Sequence, residues 1–109
     1  MNDENGPGVP GIRASVCMAT YKGAAFVREQ IASILAELGP DDELVVVDDA
    51  SPDETAAIVE GIDDPRIRLV RSPVNRGYVR SFEEAIRLSR GEYVFLSDQD
   101  ESGFRDGWS

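Results

Sequence analysis

Short apolar runs alternate with amphipathic segments from residue 12 to residue 97, and this alternation limits the folds available to the chain. The apolar runs cover 12–20, 43–47, 67–70 and 92–97. Between them lie 24–38, 52–62 and 78–89, in which apolar residues recur at the spacing of one helical face. The order is therefore βαβαβαβ. It predicts an α/β fold, in which a parallel Rossmann-like sheet with right-handed crossovers carries helices on both faces.

Local signals mark where the first two helices start and stop. Gly39 can adopt the left-handed backbone that ends a helix, and Pro40 cannot continue one, so the first helix is predicted to end there. Ser51 is predicted to cap the second helix, with Pro52 in its first position and Glu54 completing a capping box.

The helical spacing also predicts which side chains face the sheet, and Cys17, within the first strand, is predicted to be a core residue. The predicted inward-facing residues are Val27, Ile31, Ile34, Leu35 and Leu38 in the first helix, Ile58, Val59 and Ile62 in the second, and Val79, Phe82, Ala85 and Ile86 in the third.

Composition excludes several classes of function. The 109 residues suffice for one domain, predicted over 12–100, with a disordered leader at 1–11 and a short tail at 101–109. A net charge of −10 argues against nucleic acid as a partner. The lack of His excludes a Ser-His-Asp triad and a His-ligated zinc site. One Cys and a leader without a signal-peptide pattern predict a cytoplasmic protein.

Polar clusters follow three of the four predicted strands. They are Thr20-Tyr21, Asp48-Asp49 and Asp98-Gln99-Asp100. Parallel strands end at a common edge of the sheet, and ligands of such sheets bind beyond that edge. We therefore expect the three clusters to surround one ligand site.

Each acidic cluster has a chemical interpretation and a plainer structural one. Asp98 and Asp100 are spaced to bind a hard divalent cation, or they form an ordinary solvated turn. Asp49 can accept hydrogen bonds from a base or a ribose, or its negative charge only stabilises the N-terminus of the following helix through the helix macrodipole.

Two further features are open to the same pair of interpretations. Tyr21 is placed to stack on a base, or it is a surface residue of a βα turn. Gly77 lets the backbone approach a phosphate that Arg80 or Arg76 can pair with, or these arginines only begin a helix at the surface.

The blocks ASVCMATYKGAAFVREQIASIL, DELVVVDDASPDET, DPRIRLVRSPVNRGYVRSFEEAI and GEYVFLSDQD occur in this order over about residues 12–100. Together they resemble the N-terminal half of an inverting GT-A glycosyltransferase of family two, particularly its rhamnosyltransferase-like members. The resemblance implies a nucleotide-diphosphate sugar of the UDP or dTDP type as the partner. It implies sugar transfer to an acceptor hydroxyl with inversion.

The resemblance also assigns residues to roles. Ala19, Thr20 and Tyr21 would line the nucleotide base, and Asp49 would contact it with Asp48 beside it. Asp98-Gln99-Asp100 matches the DxD motif, whose acids hold Mg²⁺ or Mn²⁺ against the diphosphate. Together with Gly77 and Arg80, these residues form the predicted nucleotide site.

Residues 101–109 do not resemble the continuation of that family, and they offer no candidate for the base that deprotonates the acceptor. We therefore expect a truncated transferase that binds nucleotide and transfers sugar poorly. Peripheral association with a membrane would come only through a glycan acceptor.

Three alternatives remain at this stage. One is a non-catalytic interaction module that self-associates through an exposed sheet edge. Another is a receiver-like signalling domain, although its acidic pair should follow the first strand. The third is a phosphatase of the Asp-x-Asp type, which has the same difficulty.

Overall fold

Four parallel strands and three helices make up the computed structural model, which describes residues 11–98, the last of them by its backbone only. The elements are β1 (Ala14–Thr20), α1 (Val27–Glu37), β2 (Asp42–Asp48), α2 (Thr55–Glu60), β3 (Ile67–Arg71), α3 (Tyr78–Leu88) and β4 (Tyr93–Asp98). The sheet order is β3-β2-β1-β4, and every pair of neighbours is parallel. The predicted α/β class and βαβαβαβ order are confirmed. Of the predicted leader only Gly11 is described, and the tail at 101–109 lies outside the described residues.

The two faces of the sheet carry separate apolar layers. On one face, alternate residues of β1 and β2 pack against α1 and α2: the buried set is Val16, Met18, Val27, Ile31, Ile34, Leu44, Val46 and Val59. On the other face, Cys17, Val45 and Val47 pack against Ala85 and Phe82 of α3. Helices therefore cover both faces, as predicted. Cys17 is fully buried, and this burial raises the pKa of its thiol to about 11.

The outer side of α3 departs from the prediction. Val79 and Ile86 were expected in the core, but they are 70% and 43% exposed. Helical spacing places them beside Phe82 and Ala85, which do face the sheet. Within residues 11–98, no element packs against the side of α3 that Val79 and Ile86 occupy, so the periodicity alone overestimated the buried face.

Both predicted helix ends are formed differently. Gly39 does not adopt a left-handed backbone; α1 ends where Leu38 turns extended, at φ −88° and ψ 145°. The Arg66 guanidinium donates a hydrogen bond to the Leu38 carbonyl at 2.8 Å. The positive charge at the end of α1 therefore comes from an arginine that is distant in sequence.

Ser51 does not cap α2, which begins at Thr55. Instead the carboxylate of Asp53 accepts the Thr55 amide at 3.1 Å, and the Ser51 hydroxyl is bonded to another loop. The predicted capping box is therefore wrong.

A buried carboxylate at the start of β2 holds the last strand in place. Glu43 is 1% exposed and accepts hydrogen bonds from the Ser15 hydroxyl at 2.6 Å and from the Arg90 side chain at 2.9 Å. It also accepts the Arg90 amide at 2.8 Å, and the Gly91 amide donates to Ser15 at the same distance. The turn between α3 and β4 is thereby joined to β1 and β2. None of the helices in residues 11–98 is long and apolar enough to cross a membrane.

Candidate functional site

The carboxyl ends of the strands lie side by side, as the sequence predicted. Thr20 at the end of β1 is aligned with Asp48 at the end of β2, and Asp48 is aligned with Arg71 of β3. On the other side of β1, Ala19 is aligned with Asp98 of β4. The strands β2 and β3 lie on one side of β1, and β4 lies on the other side, so the order of the strands reverses between β1 and β4. Ligands of parallel sheets bind at such a switch point.

Asp48 is a buried hub between β1 and the loop after β2. It is 2% exposed, and its Oδ1 accepts hydrogen bonds from the Thr20 and Ser51 hydroxyls, both at 2.7 Å. Its Oδ2 accepts the Ser51 amide at 2.9 Å. Thr20 is itself fully buried. The structure thus brings the predicted residues Thr20 and Asp48 together, with each bonded to the other.

The loop between β1 and α1 carries Tyr21, the predicted stacking residue. Tyr21 is half-buried, and the ammonium of Lys22 lies 5.5 Å from the centre of its ring. Lys22 adopts a left-handed backbone with φ 58°, which is unusual for a residue with a side chain. Ala19, just before this loop, is fully buried in β1 and paired with β2 and β4 on its two sides, so neither its side chain nor its backbone is open to a ligand in this structure.

Asp49 connects β2 to the loop between β3 and α3. Its two carboxylate oxygens accept the backbone amides of Arg76 and Gly77 at 2.7 and 2.8 Å. Its carbonyl accepts the side-chain amide of Asn75 at 3.1 Å. Asp49 is 2% exposed. Because each carboxylate oxygen has a second lone pair, both oxygens retain capacity for one more donor.

Gly77 and Arg80 stand at the start of α3. Gly77 has φ 94°, and a Cβ built there would meet no heavy atom within 4 Å, so the backbone angle rather than lack of space favours glycine. Arg80 lies in the first turn of α3 with an exposed side chain. The Asp49 carboxylate therefore positions the loop that leads into the predicted phosphate contacts.

The predicted cation ligands fall at the limit of the described chain. The backbone of Asp98 ends β4 beside Ala19, but its side chain and the whole of Asp100 lie outside the described residues. Within residues 11–98, no group of three or more acids or Cys has the geometry to hold a metal. The carboxylates of Asp48 and Asp49 accept hydrogen bonds from protein groups, and the predicted cation ligands remain Asp98 and Asp100.

Sequence reasoning missed three polar residues that shape this edge. Ser51 accepts the Lys22 amide at 3.0 Å, and Thr55 accepts the Gly23 amide at 2.9 Å. Asn75 binds the Asp49 carbonyl. The Ser51-Pro52-Asp53 signal was visible in the sequence, but it was assigned to a helix cap instead of to the neighbouring loop.

The chain matches known proteins over most of its length. A model of the family described as "Glycosyl transferase family 2" matches residues 15–106. The succinoglycan biosynthesis protein ExoO of Rhizobium meliloti is 39% identical over 85 residues, which make up 78% of this chain and 24% of that protein.

Two groups of solved structures have the same fold. S. aureus TarS 1-349 in complex with UDP-GlcNAc aligns with a TM-score of 0.76 and 29% identity, over 82% of this chain and 27% of that one. The mannosyltransferase PcManGT from Pyrobaculum calidifontis, in complex with GDP-Man and Mn²⁺, aligns with a TM-score of 0.72 and 31% identity, over 86% and 30%. This chain therefore spans between a quarter and a third of the length of these relatives.

Proposed function

Because the chain belongs to glycosyl transferase family 2, we propose that it supplies the nucleotide-binding part of an enzyme that transfers sugar from a nucleotide-diphosphate sugar to an acceptor hydroxyl with inversion. The observation that carries this proposal is the common edge formed by the ends of β1, β2 and β4, where Tyr21, Asp49 and Asp98 follow or end neighbouring strands. The family match covers β2 and β4 and all of β1 except its first residue.

The nucleoside is assigned to the loops after β1 and β2. Tyr21 stacks on the base, and Ala19 and Thr20, both fully buried at the end of β1, set the position of the loop that carries it. Asp49 accepts an N–H of the base with the lone pairs that the Arg76 and Gly77 amides leave free. A carboxylate acceptor requires a base with an N–H donor on its edge: uracil, thymine and guanine supply a ring N–H, whereas cytosine supplies only its exocyclic amine.

The diphosphate is assigned to the start of α3 and to the end of β4. The exposed guanidinium of Arg80 and the backbone near Gly77 are placed to contact phosphate oxygens. With a net charge of −10, the chain needs additional positive charge to hold such an anion. Asp98 and Asp100 would bind Mg²⁺ or Mn²⁺, which neutralises the diphosphate and stabilises the departing nucleotide.

Donor preference is the finer part of the proposal. The rhamnosyltransferase-like blocks favour dTDP or UDP donors, while similar proteins were solved with UDP-GlcNAc and with GDP-Man. Calorimetric titration with UDP, dTDP and GDP, each with Mn²⁺ and with EDTA, tests all three. We expect binding of at least one nucleotide that is tighter with Mn²⁺. Absence of heat with every nucleotide would contradict the proposal.

Variants separate the roles within the site. Asp100→Asn should remove the benefit of Mn²⁺, whereas Tyr21→Ala should weaken binding both with Mn²⁺ and with EDTA, by a factor of about 5 to 150, the value of a base–aromatic contact. Asp63→Asn, at an exposed position between α2 and β3, is the matched control and should change neither. If Asp100→Asn keeps the full effect of Mn²⁺, the cation assignment is wrong.

One observation favours a second candidate function. The side chains of Tyr93, Val94, Phe95 and Leu96 are between 42% and 55% exposed, and β4 is an edge strand among the strands of residues 11–98. A non-catalytic module that associates through this edge is the alternative, and measurements of assembly distinguish it from nucleotide binding.

A further inference from the structure

Ser51 bridges two loops of the candidate site through a single hydroxyl. Its Oγ lies 3.0 Å from the Lys22 amide and 2.7 Å from Oδ1 of Asp48. A backbone amide can only donate, so Oγ accepts from Lys22, and its own proton goes to the carboxylate. The Asp48 carboxylate, which also accepts from Thr20, therefore fixes the rotamer of Ser51 in which it can hold Lys22.

The Lys22 backbone needs such a partner. A left-handed conformation is unfavourable for a residue that carries a Cβ, so the loop would relax if nothing held it. Further bonds among the described residues join this loop to the segment that leads into α2: the Gly23 amide to the Thr55 hydroxyl at 2.9 Å and the Ala24 amide to Asp53 at 3.4 Å. The bond to Ser51 is the one that acts directly on Lys22, the neighbour of Tyr21.

We propose that Ser51 is a positioning residue for the nucleoside: its hydroxyl holds the Lys22 amide in the left-handed turn and thereby orients Tyr21 toward the base. The inference rests on the proposed function, because only a bound nucleoside gives the orientation of Tyr21 a consequence. Ser51 itself does not touch the ligand.

The test compares Ser51→Ala with Ser51→Thr, which keeps the hydroxyl, and with Ser33→Ala. Ser33 is the matched control because it is exposed and its hydroxyl bonds only within α1, to the Glu29 carbonyl. Two quantities are measured for each protein. The first is the rate of hydrogen exchange at the Lys22 amide, followed by NMR. The second is the dissociation constant for UDP, dTDP or GDP with Mn²⁺, whichever binds most tightly.

Ser51→Ala should speed exchange at Lys22 and weaken nucleotide binding, each by about fivefold, which is the value of one hydrogen bond. Exchange at strand amides such as those of Met18 and Val46 should stay at the wild-type rate. Ser51→Thr should restore both quantities, and Ser33→Ala should change neither.

The outcomes are distinguishable. If the wild-type chain binds no nucleotide, the proposed function fails, while protection of the Lys22 amide still shows whether Ser51 holds the loop. If Ser51→Ala speeds exchange at Lys22 but leaves the dissociation constant unchanged, the positioning role is overturned. A uniform rise in exchange across the sheet overturns it as well, because the effect is then on global stability. Should Ser51→Ala not fold, Ser51→Cys, with a weaker acceptor of similar size, gives the same comparison.

Discussion

Lys22 and Ala50 both hold a left-handed backbone, with φ 58° and 61°, just beyond the ends of β1 and β2. Each conformation is unfavourable for a residue with a Cβ, and each is flanked by hydrogen bonds to Asp48 or Ser51. Strained residues persist where surrounding contacts determine the local geometry, and they are concentrated at ligand sites. Their location here agrees with a binding site at this edge of the sheet.

Replacing Ala50 with Gly tests whether the turn is strained. We expect Ala50→Gly to raise the free energy of unfolding by about 0.5–1 kcal/mol, because relief of about 1–2 kcal/mol exceeds the entropic cost of Gly. The control is Ala57→Gly, at an exposed position inside α2, which should lower the free energy of unfolding by about 1 kcal/mol. Urea unfolding measures both. Equal losses in the two variants would show that Ala50 is not strained.

The strands, the third helix and the point where α1 stops could be predicted from sequence, whereas the contacts that end α1 and begin α2, and the outer face of α3, could not. Apolar runs are buried wherever the sheet forms, and Val45 and Ile31 are fully buried as expected. The Gly39-Pro40 signal marks where α1 stops, but the bond from Arg66 to the Leu38 carbonyl joins residues distant in sequence, and no local signal identifies it. Helical spacing groups Val79 with its neighbours, but it does not say whether another element will cover it.

The candidate site divides in the same way. The apolar run 43–47 predicted that Asp48 and Asp49 lie at the end of a strand, and the structure places them at the carboxyl end of β2. Their partners did not follow from it, because Asp49 binds amides 27 and 28 residues away and the Thr20 hydroxyl reaches Asp48 across 28 residues. Such contacts are created by the crossovers of the fold, so only coordinates reveal them.

The turn between α3 and β4 requires glycine at position 91. A Cβ at Gly91 would lie 2.7 Å from the Ala14 carbonyl carbon and 2.8 Å from the Ser15 amide nitrogen, both backbone atoms of β1 that have little freedom to move. Contacts this short force β4 away from β1, with which it pairs over its whole length.

We therefore predict that Gly91→Ala lowers the free energy of unfolding by more than about 2 kcal/mol, in the range of overpacking against backbone. Gly61→Ala is the control, since a Cβ there would meet only ordinary contacts at 3.5 and 3.6 Å and the backbone has a right-handed helical conformation. It should be neutral or raise the free energy of unfolding by up to about 1 kcal/mol. Thermal unfolding measures both variants, and equal effects would contradict the close approach of β4 to β1.

Glu43 makes the stability of the whole domain depend on pH. Burial raises the pKa of its carboxyl, but hydrogen bonds from Ser15 and Arg90 and the charge of Arg90 outweigh burial, so the pKa lies below its ordinary value of 4.5. A group with a lowered folded-state pKa stabilises the protein above its unfolded-state pKa. That stabilisation is lost as pH falls through the folded-state pKa.

Glu43→Gln should therefore lower the free energy of unfolding at pH 7 by about 1.5–3 kcal/mol, the value of hydrogen bonds to a charged group. The difference from wild type should shrink as pH falls below about 4.5, because the unfolded carboxyl takes up its proton there and the folded carboxyl does so only at a lower pH. Glu29→Gln, on the exposed side of α1, is the control for the loss of one negative charge. Urea unfolding between pH 7 and pH 3 measures all three proteins. A constant difference across that range would contradict the assignment.

The unequal edges of the sheet predict how whole chains associate. At one edge, Ile67 and Leu69 of β3 pack against the core, whereas at the other all four residues 93–96 of β4 are apolar and at least 42% exposed. An edge strand with apolar side chains on both faces invites pairing with another chain. We predict that the chain associates increasingly with concentration, as measured by sedimentation velocity.

Leu96→Lys should reduce this association, because the added charge lies on the pairing strand. Val74→Lys adds the same charge at a loop position that is 57% exposed, and it should leave association unchanged. Equal loss in both variants would mean that reduced net negative charge, rather than β4, governs assembly, and a monomer at every concentration would exclude the interaction-module alternative.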